Sequence, residues 1–170
     1  DAGGFNNAII QQLRGVNAPL GVLAYFGLIL PKEVLEIFPN GILNVHPSLL
    51  PKYRGPTPGQ TAILNGETKT GVTLIKLDED VDHGPILAKA EERIEPTDTA
   101  ETLYERLFKK GAELLSQNIQ KYIKGELKET VQDHTKATFT KRLTRNDGFF
   151  DIQTPPSPEK LDRMIHAYYS

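Results

Sequence analysis

The 170-residue sequence contains no cysteine. Its absence excludes disulfide frameworks, thiolate zinc sites, iron–sulfur clusters and cysteine nucleophiles, so any chemistry of this chain must use nitrogen and oxygen groups. Long apolar runs are absent too, because the longest stretch, residues 20–30, is interrupted by glycines and stops at Pro31. A bilayer-spanning helix needs roughly 20 apolar residues. We therefore expect no transmembrane helix and no membrane partner.

An excess of charge of one sign is also lacking. Lysine and arginine number 20 against 22 aspartates and glutamates, a formal net charge of -2, whereas proteins that bind nucleic acid on their own usually present a basic face. The one locally basic stretch, residues 136–145, is interpreted as a solvated face, with phosphate contact as the alternative. Residues 1–7 show neither the basic region nor the apolar segment of a signal peptide, which favours a cytoplasmic location.

The order of periodic segments predicts an α/β domain. Residues 8–13 suit a helix that ends at Gly15. A β-prone run over 22–26 is followed by a helix that Pro31 opens and that reaches Phe38, and then by a strand over 42–46. A strand, helix, strand order with short turns predicts a right-handed βαβ crossover in a parallel sheet.

The second half of the sequence adds an antiparallel ribbon and a long helix. After a short helix within 56–64, strands over 72–77 and 86–94 flank the acidic loop 78–85. Asp98 and Glu101 have the spacing of a capping box before an apolar helical stripe that continues to Gly125. A last helix is predicted around 161–168. The predicted fold class is α/β with a mixed sheet.

Asn44 and His46 are the first candidates for chemistry. They lie two residues apart at the end of a predicted strand, so both side chains leave the same face. In open α/β sheets, ligands bind outside the carboxyl ends of the strands. An amide and an imidazole at that position can hydrogen-bond an oxygen that gains negative charge in a transition state. A capped strand end is the alternative interpretation of the pair.

Asp82 is the third candidate. It lies in the loop between two predicted strands, and a carboxylate beside His46 would favour the imidazolium form and accept a proton. Asp82 and the two aspartates before it equally suit a turn in which Asx side chains bond their own backbone. The cluster lacks the glycine and the distal glutamate of a calcium loop, and the other histidines lack ligand-spaced partners. We therefore expect no metal site.

Two motifs resemble the signature of the folate-dependent formyltransferases. The first is the run N-V-H-P-S-L-L-P-K-Y-R-G over residues 44–55, and the second is D-H-G-P-I over residues 82–86. The family has an N-x-H-P-S-L-L-P run and a later D-x-G-x-I segment in the same order. Residues 54–58 and 137–148 further resemble the methionyl-tRNA branch of this family. The resemblance extends from about residue 22 to residue 169.

The resemblance implies a Rossmann-like formyltransferase domain with a mostly parallel, mixed sheet flanked by helices. It implies transfer of a formyl group from the co-substrate 10-formyltetrahydrofolate to an amine, without a metal. In the tRNA branch, that amine is the α-amino group of methionine on the initiator tRNA. Asn44 and His46 would stabilise the oxyanion, while Asp82 would keep His46 protonated and help remove the amine proton through water.

The resemblance also assigns binding residues. The residues expected around the folate pterin are Leu28, Ile29, Leu30, Asp78, Glu79, Asp80 and Val81. The residues expected to contact the acceptor are Ser48, Arg54 and Gly55. The Ser48 hydroxyl, between Pro47 and Leu49, also suits a loop or capping role.

Family members extend beyond both ends of this sequence. We therefore expect residues 1–153 to form a catalytic domain that is incomplete at its amino terminus, and residues 154–170 to form a helix that leads toward an absent linker and carboxy-terminal domain. Such a sheet would expose an edge through which copies could associate, and these residues alone should bind tRNA weakly. Two other functions stay open, namely formyl transfer to glycinamide ribonucleotide or an amino sugar, and non-catalytic folate binding.

Overall fold

The structure is a computed structural model that describes residues 4–169. A four-stranded sheet lies at its centre, and the strands follow the order of the chain: β1 (Gly21–Ala24), β2 (Ile42–His46), β3 (Lys69–Lys76) and β4 (Ile86–Arg93). β1 and β2 are parallel, whereas β3 is antiparallel to both of its neighbours. The predicted mixed sheet is confirmed. Parallel pairing, expected to predominate, is confined to β1 and β2 within the described residues.

Helices flank the sheet. They are α1 (Asn7–Gly15), α2 (Lys32–Leu35), α3 (Pro58–Leu64), α4 (Ala100–Ile123) and α5 (Pro158–Tyr168). The β1–α2–β2 order confirms the predicted parallel unit, but α2 stops at Leu35 instead of reaching Phe38. The reason is a series of turns over residues 36–40 that ends at Gly41, whose φ is 76°. None of the helices within residues 4–169 has the length and apolar character needed to cross a membrane.

β1 ends at Ala24 rather than at Phe26 as the sequence predicts. Tyr25 adopts a φ of 54°, a left-handed conformation that cannot continue a strand. The bend turns the chain into a loop, residues 25–30, that follows the carboxyl end of β1. The outer edge of β1 has no strand partner among residues 4–169, and association of copies through this edge stays a prediction.

The main core lies between the sheet and α4. Its fully buried side chains include Leu43, Val72, Leu74, Leu103 and Leu107. α4 approaches the sheet closely at Gly111, where a Cβ atom would lie 2.4 Å from Cγ1 of Val45. Ala167 of α5 belongs to the same buried cluster. The carboxy-terminal helix therefore packs on the core that also supports the sheet.

The amino terminus of α4 is capped one residue later than the sequence predicts. The side chain of Thr99 accepts a hydrogen bond from the backbone N–H of Thr102, and the Thr102 hydroxyl accepts one from the N–H of Thr99. The predicted capping box of Asp98 and Glu101 is wrong. Its aspartate is already engaged, because the Asp98 carboxylate binds the guanidinium of Arg106.

Replacing Asp98 with alanine should destabilise the protein by about 2–3 kcal/mol, because it removes the charged hydrogen bonds from Arg106 and leaves the N–H of Glu95 without its acceptor. Hydrogen bonds from Arg106 hold the pKa of the Asp98 carboxyl below its ordinary value. The stabilisation is therefore complete above ~3.9, the unfolded-state pKa, and is lost as the pH falls through the lower folded-state pKa. Urea unfolding of both proteins at neutral and acid pH measures this difference.

The matched control is Glu101→Ala, in the exposed first turn of the same helix. Its free energy of unfolding should stay within about 0.5 kcal/mol of the parent value. Equal losses of unfolding free energy in the two variants would contradict the cap formed by Thr99 and Thr102. They would favour the capping box of Asp98 and Glu101 that the sequence predicts.

Candidate active site

Four segments line a cavity at the carboxyl ends of β1 and β2. They are residues 25–30, 44–47, 55–58 and 77–82, of which 44–46 belong to β2, and Tyr104 and Arg142 also contribute to the wall. The cavity measures about 530 Å³, within the range of small-molecule sites. Its walls combine apolar side chains with a few polar groups, an arrangement typical of a ligand site.

His46 lies at the end of β2 with both ring nitrogens facing oxygen atoms. Its Nε2 is 2.9 Å from the backbone carbonyl oxygen of Tyr53, and its Nδ1 is 3.4 Å from Oδ1 of Asp82. A carbonyl and a carboxylate only accept hydrogen bonds. The imidazolium form, with a proton on each nitrogen, therefore satisfies both contacts. The ring is 4% exposed, so this pairing takes place away from bulk water.

Asp82 receives donors from two other segments. Its Oδ2 accepts a 2.8 Å hydrogen bond from the backbone N–H of Gly55, and its Oδ1 accepts one of 3.3 Å from Nδ2 of Asn44. Burial raises the pKa of this carboxyl, but the hydrogen bond and charge of His46 and the bond from Gly55 outweigh burial, so the pKa is lowered. The group is an anion at neutral pH, suited to orienting and holding a cation.

The position of Asn44 follows from the geometry of β2. It lies two residues before His46 on β2, so both side chains leave the same face of the sheet. One N–H of its amide binds Asp82, and the residue lines the cavity. The two strand residues predicted to act together therefore meet the predicted aspartate at one wall of the cavity.

The loop after β2 is held by a buried hydroxyl. Thr73, fully buried on β3, donates to the carbonyl of Ser48 at 2.6 Å and accepts from the N–H of Leu50 at 3.1 Å. Ser48 is also fully buried, and its hydroxyl donates to the carbonyl of Lys52. The structure does not place Ser48 at the cavity, so its predicted contact with the acceptor is revised to the loop-stabilising role.

Arg54 is likewise not at the cavity wall. It is 3% exposed, and its guanidinium donates to Oε1 of Gln132 at 2.7 Å and lies 2.9 Å from Nδ1 of His134. Its predicted acceptor contact is revised to an internal one because no part of the charge reaches solvent space in the cavity. Gly55 does line the cavity. Its φ of 102° favours glycine, and its N–H points at Asp82.

The residues expected around the pterin do meet at one side of the cavity. Both predicted segments, Leu28–Leu30 and Asp78–Val81, contribute to its lining. Leu28 is 49% exposed and Ile29 is 70% exposed, whereas Leu30 packs into a smaller core beside α2. The exposed apolar side chains give this side of the cavity a surface suited to a flat aromatic ring.

The contacts behind the cavity have no sequence signal. Gln132 is buried and links Arg54 to the loop of Asp82. The rings of His83 and His134 stack at a centroid distance of 4.0 Å. Residues 132 and 134 lie about 50 or more positions from these partners in the chain, so only the tertiary structure reveals the contacts. Among residues 4–169, no group of three or more His, Cys, Asp or Glu side chains is arranged to hold a metal ion.

The four cations of the basic stretch 136–145 are exposed, as predicted for a solvated face. Exposed Lys136 pairs with Asp133, and exposed Lys141 pairs with Asp147. Arg142 also contributes to the cavity wall.

Comparison with known proteins identifies the family. The formyl transferase family model matches residues 2–119. Methionyl-tRNA formyltransferase of Chloroflexus aurantiacus is 47% identical over 160 residues, which cover 94% of this chain and 51% of the relative. The methionyl-tRNA formyltransferase of Thermodesulfovibrio yellowstonii is 41% identical over 94% of this chain and 51% of its own length. The chain spans about half the length of these curated relatives.

Solved structures agree with this result. The N-formyltransferase from Helicobacter canadensis, in complex with folinic acid and dTDP-3-aminofucose, has a TM-score of 0.71 and 29% identity over 84% of this chain and 52% of its own. HypX from Aquifex aeolicus, in complex with tetrahydrofolic acid, has a TM-score of 0.83 at 19% identity over 98% of this chain and 29% of its own, which shows the common fold. By its sequence, fold and cavity, the chain belongs to the formyl transferase family.

Proposed function

We propose that this chain carries the site at which a formyl group passes from 10-formyltetrahydrofolate to the α-amino group of methionyl initiator tRNA, for translation initiation in the cytoplasm. The observation that carries the proposal is the meeting of Asn44, His46 and Asp82 at one wall of a single cavity. Curated relatives at 36–47% identity bear the name methionyl-tRNA formyltransferase, which favours the tRNA acceptor over other amines.

The folate donor would occupy the side of the cavity formed by residues 28–30 and 78–81. The apolar side chains of Leu28, Ile29 and Val81 are 42–70% exposed there and suit the faces of a pterin, while the loop backbone offers hydrogen-bonding groups for its edge. The folate supplies the formyl carbon. Its reactive end would then point toward Asn44 and His46 at the end of β2.

The neutral amine would attack the formyl carbon, forming a carbon–nitrogen bond while the carbonyl oxygen gains negative charge. The Asn44 amide has a second N–H beside the one used at Asp82, and this N–H would donate to the oxyanion. His46 would share its Nε2–H between the oxyanion and the carbonyl of Tyr53. Breakage of the bond from the formyl carbon to the folate nitrogen, which takes up a proton, would release tetrahydrofolate.

Asp82 would act chiefly through charge. Its lowered pKa makes it a weak base but a good partner for the His46 imidazolium, whose positive charge favours the oxyanion. The proton lost by the amine would leave through water near Asp82. We therefore assign Asp82 the role of keeping His46 charged, with a lesser share in proton removal.

A small amine is the second candidate acceptor. The solved formyltransferase from Helicobacter canadensis holds an amino sugar nucleotide, and its identity to this chain is 29%. The tRNA acceptor is the stronger proposal because the curated relatives are more similar and are aligned over more of this chain. Weak tRNA binding by these 170 residues alone stays a prediction, in keeping with their net charge of -2.

The acceptor is tested with the whole protein that contains this chain, 10-formyltetrahydrofolate and three amines: methionyl initiator tRNA, glycinamide ribonucleotide and a dTDP-amino sugar. Release of tetrahydrofolate is followed by absorbance. We expect kcat/KM for the tRNA to exceed that for either small amine by about 1,000-fold, because contacts with parts of the tRNA remote from the amine would contribute binding energy. A preference for a small amine would reassign the acceptor, and folate binding without turnover of any amine would favour a non-catalytic folate-binding protein.

A further inference from the structure

Gln132 lies behind the cavity and does not line it. Its side chain is 3% exposed, and its amide makes four hydrogen bonds. Nε2 donates to the carbonyl of Asp82 and to that of Gly84, both at 2.8 Å. Oε1 accepts from Nη2 of Arg54 at 2.7 Å and from its Nε at 3.2 Å. Both donor hydrogens and both acceptor lone pairs of the amide are therefore in use.

The two carbonyls bound by Gln132 belong to a constrained turn. Asp82 has a φ of 47°, which side-chain-bearing residues rarely adopt. At Gly84, a Cβ atom would lie 1.9 Å from the carbonyl oxygen of Lys76, so the turn passes directly over the end of β3. The amide of Gln132 holds this turn on both sides of His83, and the direction of the Asp82 carboxylate depends on the turn.

The oxygen of the Gln132 amide holds the segment that donates a hydrogen bond to the Asp82 carboxylate. Arg54, which Gln132 binds through two nitrogens, directly precedes Gly55 in the chain. The N–H of Gly55 donates to Oδ2 of Asp82 at 2.8 Å. One buried amide thus holds the donor segment and the acceptor segment of a hydrogen bond at the cavity wall.

We propose that Gln132 is a positioning residue for formyl transfer, which holds the turn of Asp82 and the segment of Gly55 in register so that the Asp82 carboxylate faces His46. The inference rests on the proposed function for its catalytic consequence, and on the four hydrogen bonds of the amide for its structural basis. Of the nearby residues expected to line the folate site, Glu79 has a support outside this turn, because it pairs with Lys32.

The test is Gln132→Glu. The carboxylate keeps an acceptor for Arg54 but has no N–H for the carbonyls of Asp82 and Gly84, so the turn is released while the arginine stays paired. We expect kcat to fall about 100-fold, since a small displacement of a catalytic group costs on that order. The folate KM should change by less than about threefold, because uniform binding is left in place.

A second measurement does not need activity. Amide hydrogen exchange of Gly55 reports directly on its bond to Asp82, and we expect it to be at least about tenfold faster in Gln132→Glu than in the parent. Gln132→Asn repeats the test without a new charge, because its shorter side chain cannot reach both sets of partners. Gln117→Glu, the same change on an exposed face of α4, should leave kcat, KM and the exchange of Gly55 unchanged.

Parental kcat and parental Gly55 exchange in a folded Gln132→Glu protein would overturn the positioning role. So would loss of folding in both Gln132 variants, which would show that the residue serves stability alone. If the parent protein transferred a formyl group to none of the amines, the proposed function would fail. The exchange of Gly55 would still decide whether Gln132 sets the direction of Asp82.

Discussion

His46→Ala should lower the rate of the chemical step by about 100-fold or more, because a preorganised donor to an oxyanion contributes on that order. The Nδ1 of the ring also lies 3.4 Å from Oδ1 of Asp82. Alanine removes both the donor and this contact, and it leaves the Asp82 carboxylate without its imidazole partner. Single-turnover measurement of formyl transfer at saturating folate isolates this step from product release.

The His46 variant needs a folding control, since the imidazole is buried against Tyr53 and Asp82. Thermal unfolding of the variant shows whether the protein is folded at the assay temperature. His166→Ala, on α5 and outside the cavity lining, should keep the parental rate. A folded His46→Ala protein that reacts within a few-fold of the parent would refute the oxyanion role of His46.

The shared strand face of Asn44 and His46 could be predicted from the sequence, and the reason is local. Asn44 and His46 share a strand face because strand residues alternate. The pairing register places Lys76, at the end of β3, beside Leu43 and not beside His46. The loop that follows must therefore fold back along β2 to bring Asp82 to His46, and the order of the strands alone does not predict that contact. The matching family motifs added the chemistry.

The rest depends on tertiary contacts that no local pattern encodes. Ser48 and Arg54 belong to the family motif, but a motif does not show that both side chains point into the protein. Gln132 is 78 positions from Arg54, the partner that it binds. Tyr25 ends β1 through a left-handed conformation that is rare for a tyrosine and has no sequence signal. Burial and backbone strain therefore separate the predicted site from the observed one.

Asp82→Asn should reduce formyl transfer by about 100-fold while folate affinity changes by less than about threefold, since an amide keeps the shape but cannot hold His46 as a cation. In the parent protein, the Asp82 carboxylate accepts hydrogen bonds from the N–H of Gly55 and from the amide of Asn44. An asparagine has only one oxygen for these donors, and its NH2 would face a second N–H. The rate of transfer should fall more than the folate affinity, because Asn44 and His46, the neighbours of Asp82, are the proposed donors to the oxyanion.

Isothermal titration with a non-reacting folate analogue measures binding, and single-turnover kinetics measures transfer. Asp162→Asn, the same change at an exposed site on α5, is the matched control and should resemble the parent in both. A large loss of folate binding with preserved turnover would place Asp82 in the pterin pocket only. It would remove Asp82 from the proposed reaction.

The stability of the same Asp82 variant should depend on pH in a defined direction. Burial raises the pKa of the Asp82 carboxyl, but the contacts with His46 and Gly55 lower it by more than burial raises it. The folded-state pKa therefore lies below the ordinary value. The ionised group therefore stabilises the parent fully above ~3.9, and this advantage over Asp82→Asn is lost as the pH falls through the folded-state pKa. Urea unfolding across this acid range should show the two free energies converging; curves that stay parallel would mean that the carboxylate is not held by these partners in the folded protein.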